Sequence, residues 1–528
     1  MITARLGRAR LALPLLLSAL AFLLYAYTLA PTITWEHDGY DAGDLITAAY
    51  TLGIPHPTGY PTYMLLGKAF TLLPFGDVAY RMNLLSAVSA ALTIGLLCLA
   101  CETLLQSQAY ARVAATCAAL LVATSRIFWS QALITEVYAL NCLFFATTLY
   151  LWLRLDRHLV EQPADSSSRS RVFHTLVLLA WVYGLSLGNH LTMAFSAPLV
   201  LFQCIAIFRQ RMLKGTQWTG VVAAFLLGVS IYAYLPFRAG SQPLLNWGNP
   251  KTVRGLWWMI SGGIYRQYLL ALPRAYWAER LLAWAGLLRQ QFGVVGTALG
   301  LLGAWQHAGR LPRQFVILLL TFGGYTIYAI GYNTTDSYVY LLPVYALCAL
   351  WIAQGAQYAL RAVVKLQSRW APSATALLCI VLLSLPLGSL TMNLPHVDLH
   401  NDYGAHDYGS QVFSQVPDGS IIISATDPHT FTLWYFARVV TKRDQVALID
   451  RDLLGYDWYV GGLRHSYRWL VFPPISADGS LSLERLIEAN MERYAIFLAD
   501  PDPGLMERYR FQEQDLLYRL RTEPPSTS

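Results

Sequence analysis

Long runs of apolar residues recur over the first three quarters of the chain, and short polar segments separate them. An α-helix needs about 20 predominantly apolar residues to cross the hydrocarbon core of a bilayer. The pattern therefore predicts an all-α polytopic membrane protein with about eleven membrane-spanning helices. The predicted spans are 10–30, 83–103, 111–125, 134–154, 172–188, 191–208, 218–236, 287–306, 314–331, 338–360 and 373–392.

The first apolar run follows Arg5, Arg8 and Arg10, as the core of a signal peptide follows its charged start. It is longer than such a core, and no clear small-residue cleavage pattern comes after it. We expect this run to be a retained membrane helix.

The pattern changes after residue 393, where the chain becomes polar and its apolar residues form short buried-strand runs. The segments 420–425, 446–450 and 494–500 are typical of such strands, and a helix is predicted near 430–440. We therefore predict two domains, a transmembrane domain over 1–392 and a small α/β domain over 393–528. No glycine-rich phosphate loop follows the predicted strands, so we expect the second domain to act as a scaffold or to dock an acceptor.

Composition supports a membrane location, because 55% of the 528 residues are hydrophobic and only 13% are charged. The net charge of +7 could indicate nucleic-acid binding, but the lysines and arginines form short clusters between apolar runs. Membrane topology explains these clusters better, and no nucleic-acid partner is expected. All seven cysteines lie in or beside apolar runs, which favours neither a disulfide framework nor a cysteine metal site.

The distribution of positive charge predicts the orientation in the membrane. Alternate loops contain Arg112 and the clusters 154–171, 209–214, 310–313 and 361–369. Positively charged loops favour the cytoplasmic side. We therefore expect a multi-pass protein of the inner (plasma) membrane whose remaining loops face the periplasm or exterior. An odd number of spans places the C-terminal domain on that same non-cytoplasmic side.

The first outer loop, residues 31–82, begins with a cluster of acidic residues next to a histidine, in the sequence WEHDGYDAGD. Unpaired charge beside a membrane is costly, so the cluster indicates a functional site. Asp41 and Asp44 are three residues apart and share a face of a helix that begins here. One carboxylate could accept a proton while the other orients a substrate or binds a metal. The alternative is that either aspartate is an N-cap in a solvated loop.

The next segment, IPHPTGYP, contains three prolines and a glycine within eight residues, so it cannot form a regular helix. Irregular backbone at membrane depth is tolerated where it is packed in protein or lines a wet cavity. We expect His56 and Tyr60 to face such a cavity. A proline-rich turn with a solvent-facing histidine is the alternative.

Five further polar residues are predicted at the same face of the membrane domain. Glu136 lies at the outer start of the fourth span, His190 in a tight outer turn, and Asp336 between the ninth and tenth spans. Arg238 and Arg81 lie where the positive-inside rule disfavours cations. Either arginine could bind a phosphate through two parallel hydrogen bonds, or extend towards lipid headgroups. His190 could equally be a polar cap of its turn.

These segments together resemble a known family. The resemblance rests on DAGDLITAAYTLGIPHPTGYPTYMLLGKAF in the first loop, TEVYALN, GLSLGNHLT, YLPFRA with NWGNP, and TDSYVYLLPVY. They resemble a family of GT-C-type membrane glycosyltransferases that was long catalogued as an uncharacterised membrane domain and includes the protein O-mannosyltransferase of plexin-type receptors. The matches cover most of the membrane region.

The resemblance implies a GT-C-like helical fold, an outward-facing active site and a sugar donor carried on polyprenyl phosphate. Asp41 and Asp44 fall on the family's D-S-G-E pattern, with Ala42 and Asp44 in place of serine and glutamate. The segment from His56 to Pro61 fits the H-P-P-G-Y-P pattern, with Thr58 replacing one proline. These departures leave open which aspartate is the base.

The mechanism expected from the resemblance is a single inverting displacement at the anomeric carbon. Asp41 or Asp44 would deprotonate an acceptor hydroxyl, and Arg238, or else Arg81, would stabilise the lipid phosphate that leaves. Residues lining the substrate cavity would be His56, Tyr60, Glu136, His190 and Asp336. The resemblance suggests mannose as the sugar and protein Ser or Thr as the acceptor, although related enzymes modify glycans and lipids. A carboxylate-bound divalent metal is compatible with the loop, but no complete ligand set is evident.

Two other functions are compatible with parts of the sequence. A transporter or lipid flippase would also have polar residues at and within the membrane, but its broken helices usually recur in two halves. A membrane scaffold with a binding domain would leave the acidic first loop unexplained.

Overall fold

The computed structural model describes residues 2–106, 108–161, 166–366, 368–477 and 479–521, and the side chains of residues 2–10, 160–161 and 166 are not included. Helices of the first three quarters are Ile2–Thr28, Ala42–Thr51, Pro61–Thr71, Val78–Leu104, Ala111–Ala123, Arg126–Gln131, Val137–Glu161, Ser166–Leu187, Ala197–Arg209, Gly215–Val229, Tyr234–Gly240, Val253–Ile260, Trp277–Arg310, Pro312–Gly331, Leu342–Lys365 and Ala371–Val397. Short 3₁₀ turns are Glu36–Asp41, Leu191–Ser196, Ser230–Ala233, Gly263–Tyr268, Arg274–Tyr276 and Ser337–Leu341.

Within the described residues, nine helical segments are long and apolar enough to cross a membrane. They are Leu11–Thr28, Val78–Leu104, Val137–Leu159, Ser167–Leu187, Leu191–Arg209, Gly215–Gly240, Pro312–Gly331, Ser337–Lys365 and Ala371–Val397. Each corresponds to one of the predicted spans. The prediction of an all-α polytopic membrane protein is therefore confirmed.

The other two predicted spans do not form single straight helices of membrane-spanning length. The run at 111–125 forms Ala111–Ala123, and its 13 residues are too few to cross a bilayer as one straight helix. The chain continues in the short helix Arg126–Gln131 towards the end of the bundle that holds the first loop, where Thr135 donates to Asn83 at 2.6 Å. The run at 287–306 lies in the 34-residue helix Trp277–Arg310, which bends where Gly293 adopts φ 66°.

The segment Ser337–Lys365 is the centre of the bundle, because 83% of its most apolar stretch is buried, against 17% for Ala371–Val397. Its backbone touches that of the helix Trp277–Arg310 at two glycines. A Cβ on Gly303 would lie 1.7 Å from the Trp351 carbonyl oxygen, and one on Gly355 would lie 2.0 Å from the Leu299 oxygen. Small residues at these two positions therefore permit the close helix contact typical of membrane bundles.

The C-terminal part forms a small α/β domain, as predicted. Its strands are β1 (Ile421–Ser424), β2 (Ala447–Asp450), β3 (Ile496–Leu498), β4 (Phe511–Gln514) and β5 (Leu517–Leu520), in the order β2-β1-β3-β5-β4. β1 is parallel to β2 and β3, while β5 is antiparallel to β3 and β4. The three predicted strands are β1 to β3, and the β4–β5 hairpin is additional. Helical segments of this domain are Gly404–Gln415, Asp427–Tyr435, Phe436–Val440, Asp452–Gly455, Asp457–Ser466, Leu483–Asn490 and Pro503–Arg508.

The helix Asp427–Tyr435 joins the two parts of the molecule, because it packs directly on the first-loop helix Ala42–Thr51. A Cβ on Gly43 would lie 2.1 Å from the Phe431 carbonyl oxygen, so only glycine permits this approach. Beside it, the Trp35 indole N–H donates to the Pro428 carbonyl oxygen at 3.1 Å and to Thr432 Oγ1 at 2.9 Å. The C-terminal domain thus covers the first loop.

Candidate active site

A cavity of about 590 Å³ opens at the end of the helical bundle that carries the first loop. It lies between the first loop, the His190 turn, the segment 261–269, the segment 328–340 and the C-terminal domain. Acidic lining residues are Asp38, Asp41, Asp336 and Asp427; basic ones are His56, His190 and Arg266; tyrosines are Tyr40, Tyr60, Tyr138, Tyr265, Tyr268, Tyr328, Tyr332 and Tyr340. The polar residues predicted at one face of the membrane domain therefore converge, but only some of them reach the cavity.

Asp41 is the predicted base that faces the cavity. It ends a 3₁₀ turn in which His37 and Asp38 have positive φ angles of 59° and 61°, so the chain reverses sharply before the helix Ala42–Thr51. Asp41 occupies the N-cap position, but its side chain accepts no helix N–H. Instead the side chain is 38% exposed, and its Oδ2 lies 3.6 Å from His56 Nε2. A carboxylate in this position can receive a proton from a bound hydroxyl group.

Asp44 has a different environment, because its side chain is completely buried. Its Oδ2 accepts hydrogen bonds from the His56 backbone N–H at 2.9 Å and from His56 Nδ1 at 2.7 Å. Its Oδ1 accepts from the Trp247 indole N–H at 3.2 Å. Asp44 therefore fixes the position of His56, whose ring lines the cavity.

His56 connects the two aspartates. Burial lowers the pKa of His56, but the charge of Asp41 and the hydrogen bond to Asp44 outweigh burial and raise the pKa to about 9. The ring therefore carries a positive charge near neutral pH. Its Nε2–H points at the Tyr60 hydroxyl at 3.1 Å, and that hydroxyl donates to the Pro57 carbonyl oxygen at 3.2 Å.

The pKa of Asp41 reflects opposing influences. Burial at the cavity wall raises the pKa of this carboxyl, the positive charge of His56 lowers it, and Asp44 and Asp336 raise it, with a net rise. A raised pKa makes a carboxylate a stronger base near neutral pH. The positive charge of the neighbouring His56 favours the deprotonated form of the Asp41 carboxyl.

His190 is neutral and can donate to a ligand. The Thr192 backbone N–H donates to His190 Nδ1 at 3.3 Å, which places the ring proton on Nε2. Burial and then the charge of His56 lower the pKa of His190 to about 4. The ring stacks on Tyr60 at 6.1 Å between centroids and lines the cavity.

The other predicted acids occupy two positions. Asp336 lines the cavity with Asp41. Glu136 is buried outside the lining, and burial followed by the charge of Asp41 raises the pKa of its carboxyl well above the usual value. Its Oε2 accepts from the Val137 N–H at 3.3 Å, at the start of a long helix.

The two predicted arginines lie outside the cavity, and both bind backbone carbonyl groups. Arg238 Nε donates to the Leu52 oxygen at 2.6 Å and so binds the C-terminal end of the helix Ala42–Thr51. Arg81 donates to the Thr71, Phe75 and Gly76 carbonyl oxygens at 2.7 to 2.8 Å. Each guanidinium therefore stabilises a loop or helix end of the first outer segment.

Sequence reasoning missed Arg266 and Asp427. Arg266 lies in a predicted outer loop, so the argument from the positive-inside rule that selected Arg238 applies to it as well. Asp427 comes from the C-terminal domain, and no local pattern connects it to Asp41. Burial and then the charge of Asp41 raise the pKa of Asp427 to about 6.

The acidic residues of the first loop are compatible with a divalent metal in sequence. Within the described ranges, no group of three or more His, Cys, Asp or Glu side chains is arranged to hold a metal ion.

Two family models match the chain. Residues 41–216 match the N-terminal domain of Protein O-mannosyl-transferase TMEM260, and residues 405–468 match TMEM260-associated domain 2. The mouse Protein O-mannosyl-transferase TMEM260 is 24% identical over 476 residues, which cover 86% of this chain and 65% of the relative. The protein of the same name from Dictyostelium discoideum is 20% identical over 548 residues, covering 93% and 64%. The chain thus spans just under two thirds of these relatives.

The fold matches a solved structure over nearly its whole length. The crystal structure of ArnT from Cupriavidus metallidurans bound to undecaprenyl phosphate superposes with a TM-score of 0.61, covering 96% of this chain and 97% of ArnT. Sequence identity is only 11%, so this similarity establishes the fold alone. The GT-C-like fold predicted from the sequence is confirmed.

Proposed function

Because the chain is a relative of the TMEM260 protein O-mannosyl-transferases with a GT-C-like fold, we propose that it is a membrane glycosyltransferase. It transfers a sugar from a polyprenyl-phosphate carrier to an acceptor hydroxyl. The main structural support for this function is the pair of Asp41 and His56 at the cavity wall. Asp41 Oδ2 lies 3.6 Å from His56 Nε2. Asp41 is an open carboxylate with a cationic neighbour, whereas Asp44 is enclosed by its own hydrogen bonds.

The reaction is one inverting displacement with Asp41 as the base. Asp41 removes the proton from the acceptor hydroxyl while its oxygen attacks the anomeric carbon, and the bond from that carbon to the phosphate oxygen breaks. The electron pair leaves with the lipid phosphate. His56 keeps the Asp41 carboxylate in position, and Asp44 keeps His56 in position.

The leaving phosphate gains negative charge during this step, so a cation close to it lowers the barrier. Arg266 is assigned this role because its guanidinium lines the cavity and its Nη2 donates to Ser261. Arg238 and Arg81 are not assigned it, since both bind backbone oxygens elsewhere. His190 donates from Nε2 to a substrate oxygen, and Asp336 and Asp427 accept hydrogen bonds from sugar hydroxyls.

The relatives and the charge pattern support the following substrates and location. ArnT is described with undecaprenyl phosphate, which supports a polyprenyl-phosphate donor here. The relatives are named protein O-mannosyl-transferases, which supports mannose as the sugar and protein Ser or Thr as the acceptor. We place the protein in the inner (plasma) membrane with the cavity facing the periplasm or exterior. The domain of residues 393–528 would then complete the outer wall of the site.

The test is transfer of mannose by the purified full chain from polyprenyl-phosphate mannose to Ser- and Thr-containing acceptors. Asp41→Asn should lower the rate by about 10²- to 10⁴-fold, the contribution of a general base. Glu36→Gln, which changes an exposed first-loop carboxylate outside the cavity lining, should leave the rate unchanged. Undiminished transfer by Asp41→Asn would reject Asp41 as the base. Solute flux across liposomes without any sugar transfer would favour the transporter instead.

A further inference from the structure

A second cleft, of about 450 Å³, lies between the loop 242–255 and the C-terminal domain. Its lining comes entirely from residues 242–255 and 434–467, so none of the candidate membrane spans contributes to it. The indole of Trp247 separates this cleft from the reaction cavity.

Three tryptophans form the apolar part of the cleft. The Trp247 ring lies 5.4 Å from Trp458 at an interplanar angle of 34°, and 6.3 Å from Trp434 at 73°. Trp247 and Trp434 are buried beneath the cleft, whereas a partly exposed indole provides a stacking surface for the C–H face of a sugar ring. Trp458 keeps part of its surface exposed and is therefore available to a ligand.

Two polar atoms beside these rings lack a partner in the described part of the chain. They are the Trp458 indole N–H, a donor, and Asn246 Oδ1, an acceptor. Buried polar atoms are normally hydrogen-bonded, so these two enclosed atoms call for a partner that carries both donors and acceptors. A sugar hydroxyl group satisfies both requirements.

The Arg438 guanidinium in the cleft already has its partners. The Arg438 side chain is only 8% exposed; it forms an ion pair with Asp444, and its Nη2 donates to the Tyr467 hydroxyl at 2.7 Å. Asp457 accepts the Trp458 backbone N–H at 2.6 Å. The arginine is therefore not free to bind a phosphate or carboxylate, which favours a neutral ligand.

The edge of the sheet beside the cleft is closed to a peptide strand. β2 is the edge strand, and its Leu448 and Asp450 N–H groups donate to the Tyr467 and Tyr459 hydroxyls at 3.1 and 2.8 Å. An extended peptide could not pair with those N–H groups without displacing both tyrosines. Recognition in the cleft thus depends on side chains.

We propose that this cleft is a binding site for a neutral saccharide, separate from the reaction cavity. The Trp458 face stacks on a sugar ring, and the Trp458 N–H and Asn246 bind its hydroxyl groups. Trp247 lies between the two sites, because it lines the cleft and its indole N–H donates to Asp44. This binding does not require the transfer reaction itself.

The test is calorimetric titration of the full chain in detergent with neutral mannose and glucose oligosaccharides. Trp458→Ala should weaken binding at least about tenfold, the effect of losing roughly 1.4 kcal/mol. Trp257→Ala, which removes a tryptophan that is 65% exposed outside the cleft, should leave binding unchanged. Gly461→Phe is a second variant, because a Cβ at Gly461 meets no atom within 4 Å and the phenyl ring would fill the cleft.

Three results would overturn the saccharide site: no saccharide binding by the wild type, unchanged binding by both cleft variants, or binding of unglycosylated peptides only. Asp41→Asn separates this inference from the proposed function, because it should retain saccharide binding while losing transfer. Saccharide binding with no transfer by the wild type would overturn the proposed function alone. Transfer without saccharide binding in the cleft would overturn this inference alone.

Discussion

Asp44 Oδ2 accepts two hydrogen bonds from one residue, the backbone N–H and the Nδ1–H of His56, at 2.9 and 2.7 Å. The paired contact fixes both the proline-rich segment and the histidine ring relative to the first-loop helix. Asp41, three residues earlier, remains open to the cavity. The two aspartates thus have separate tasks, and their variants should fail in different ways.

Asp44→Asn should destabilise the protein more than Asp41→Asn does, because Asp44 is the fully buried partner of His56. The amide NH2 of asparagine would face an N–H of His56 or Trp247 and leave a buried donor unpaired. We expect Asp44→Asn to cost about 3 kcal/mol of folding free energy, as for a broken buried ion pair. Thermal unfolding in detergent measures the difference. Equal melting temperatures for the two variants would contradict the separation of tasks.

The stability of the protein should fall between neutral and alkaline pH because of His56. The pKa of His56 is about 9 in the folded protein, above the ordinary value of 6.5. Its contribution is therefore fully present below about pH 6.5 and is lost as the pH rises through about 9. The melting temperature of the wild type minus that of His56→Gln, measured from pH 6 to 10, should decline over this interval. A constant difference would show that His56 is not protonated in the fold.

Arg266 and Arg238 form a matched pair for testing the phosphate site. Arg266→Ala should lower kcat/KM for the lipid-linked donor by about 10- to 100-fold, because a cation near the leaving phosphate is lost. Arg238→Ala should lower the melting temperature and leave kcat/KM of the folded protein unchanged, since its guanidinium binds Leu52. Steady-state kinetics at varied donor concentration distinguishes them. If Arg238→Ala lowered kcat/KM and Arg266→Ala did not, Arg238 would be the residue that stabilises the leaving phosphate.

Gly43→Ala should loosen the C-terminal domain from the first loop. The new methyl group would lie 2.1 Å from the Phe431 carbonyl oxygen, and backbone on both sides prevents local relief. We expect a loss of about 1–3 kcal/mol or more, typical of overpacking, together with reduced transfer. Gly455→Ala is the control, because a Cβ there meets nothing within 4 Å. Limited proteolysis and thermal unfolding report the docking; identical behaviour of the two variants would contradict it.

The membrane helices and the small α/β domain could be predicted from the sequence, because both depend on local hydrophobic patterns. Nine predicted spans coincide with long apolar helices of the described chain, and β1 to β3 fall where buried strands were expected. The first loop could also be predicted to contain the functional site, because unpaired charge next to a membrane is energetically costly. The β4–β5 hairpin was missed, because β4 has no buried residue and β5 buries only its first and last residues, Leu517 and Leu520.

The separate environments of Asp41 and Asp44, and the position of Asp427 at the cavity, could not be predicted. Helical spacing puts Asp41 and Asp44 on one face, yet the left-handed turn at His37 and Asp38 and the docking of Trp247 expose one and enclose the other. These contacts join residues that are distant in sequence. A helical membrane protein with an acidic first loop can be inferred from the sequence, because hydrophobicity and charge are properties of local segments. Which side chains meet in the cavity depends on the folded chain, because packing between residues distant in sequence sets where each one points.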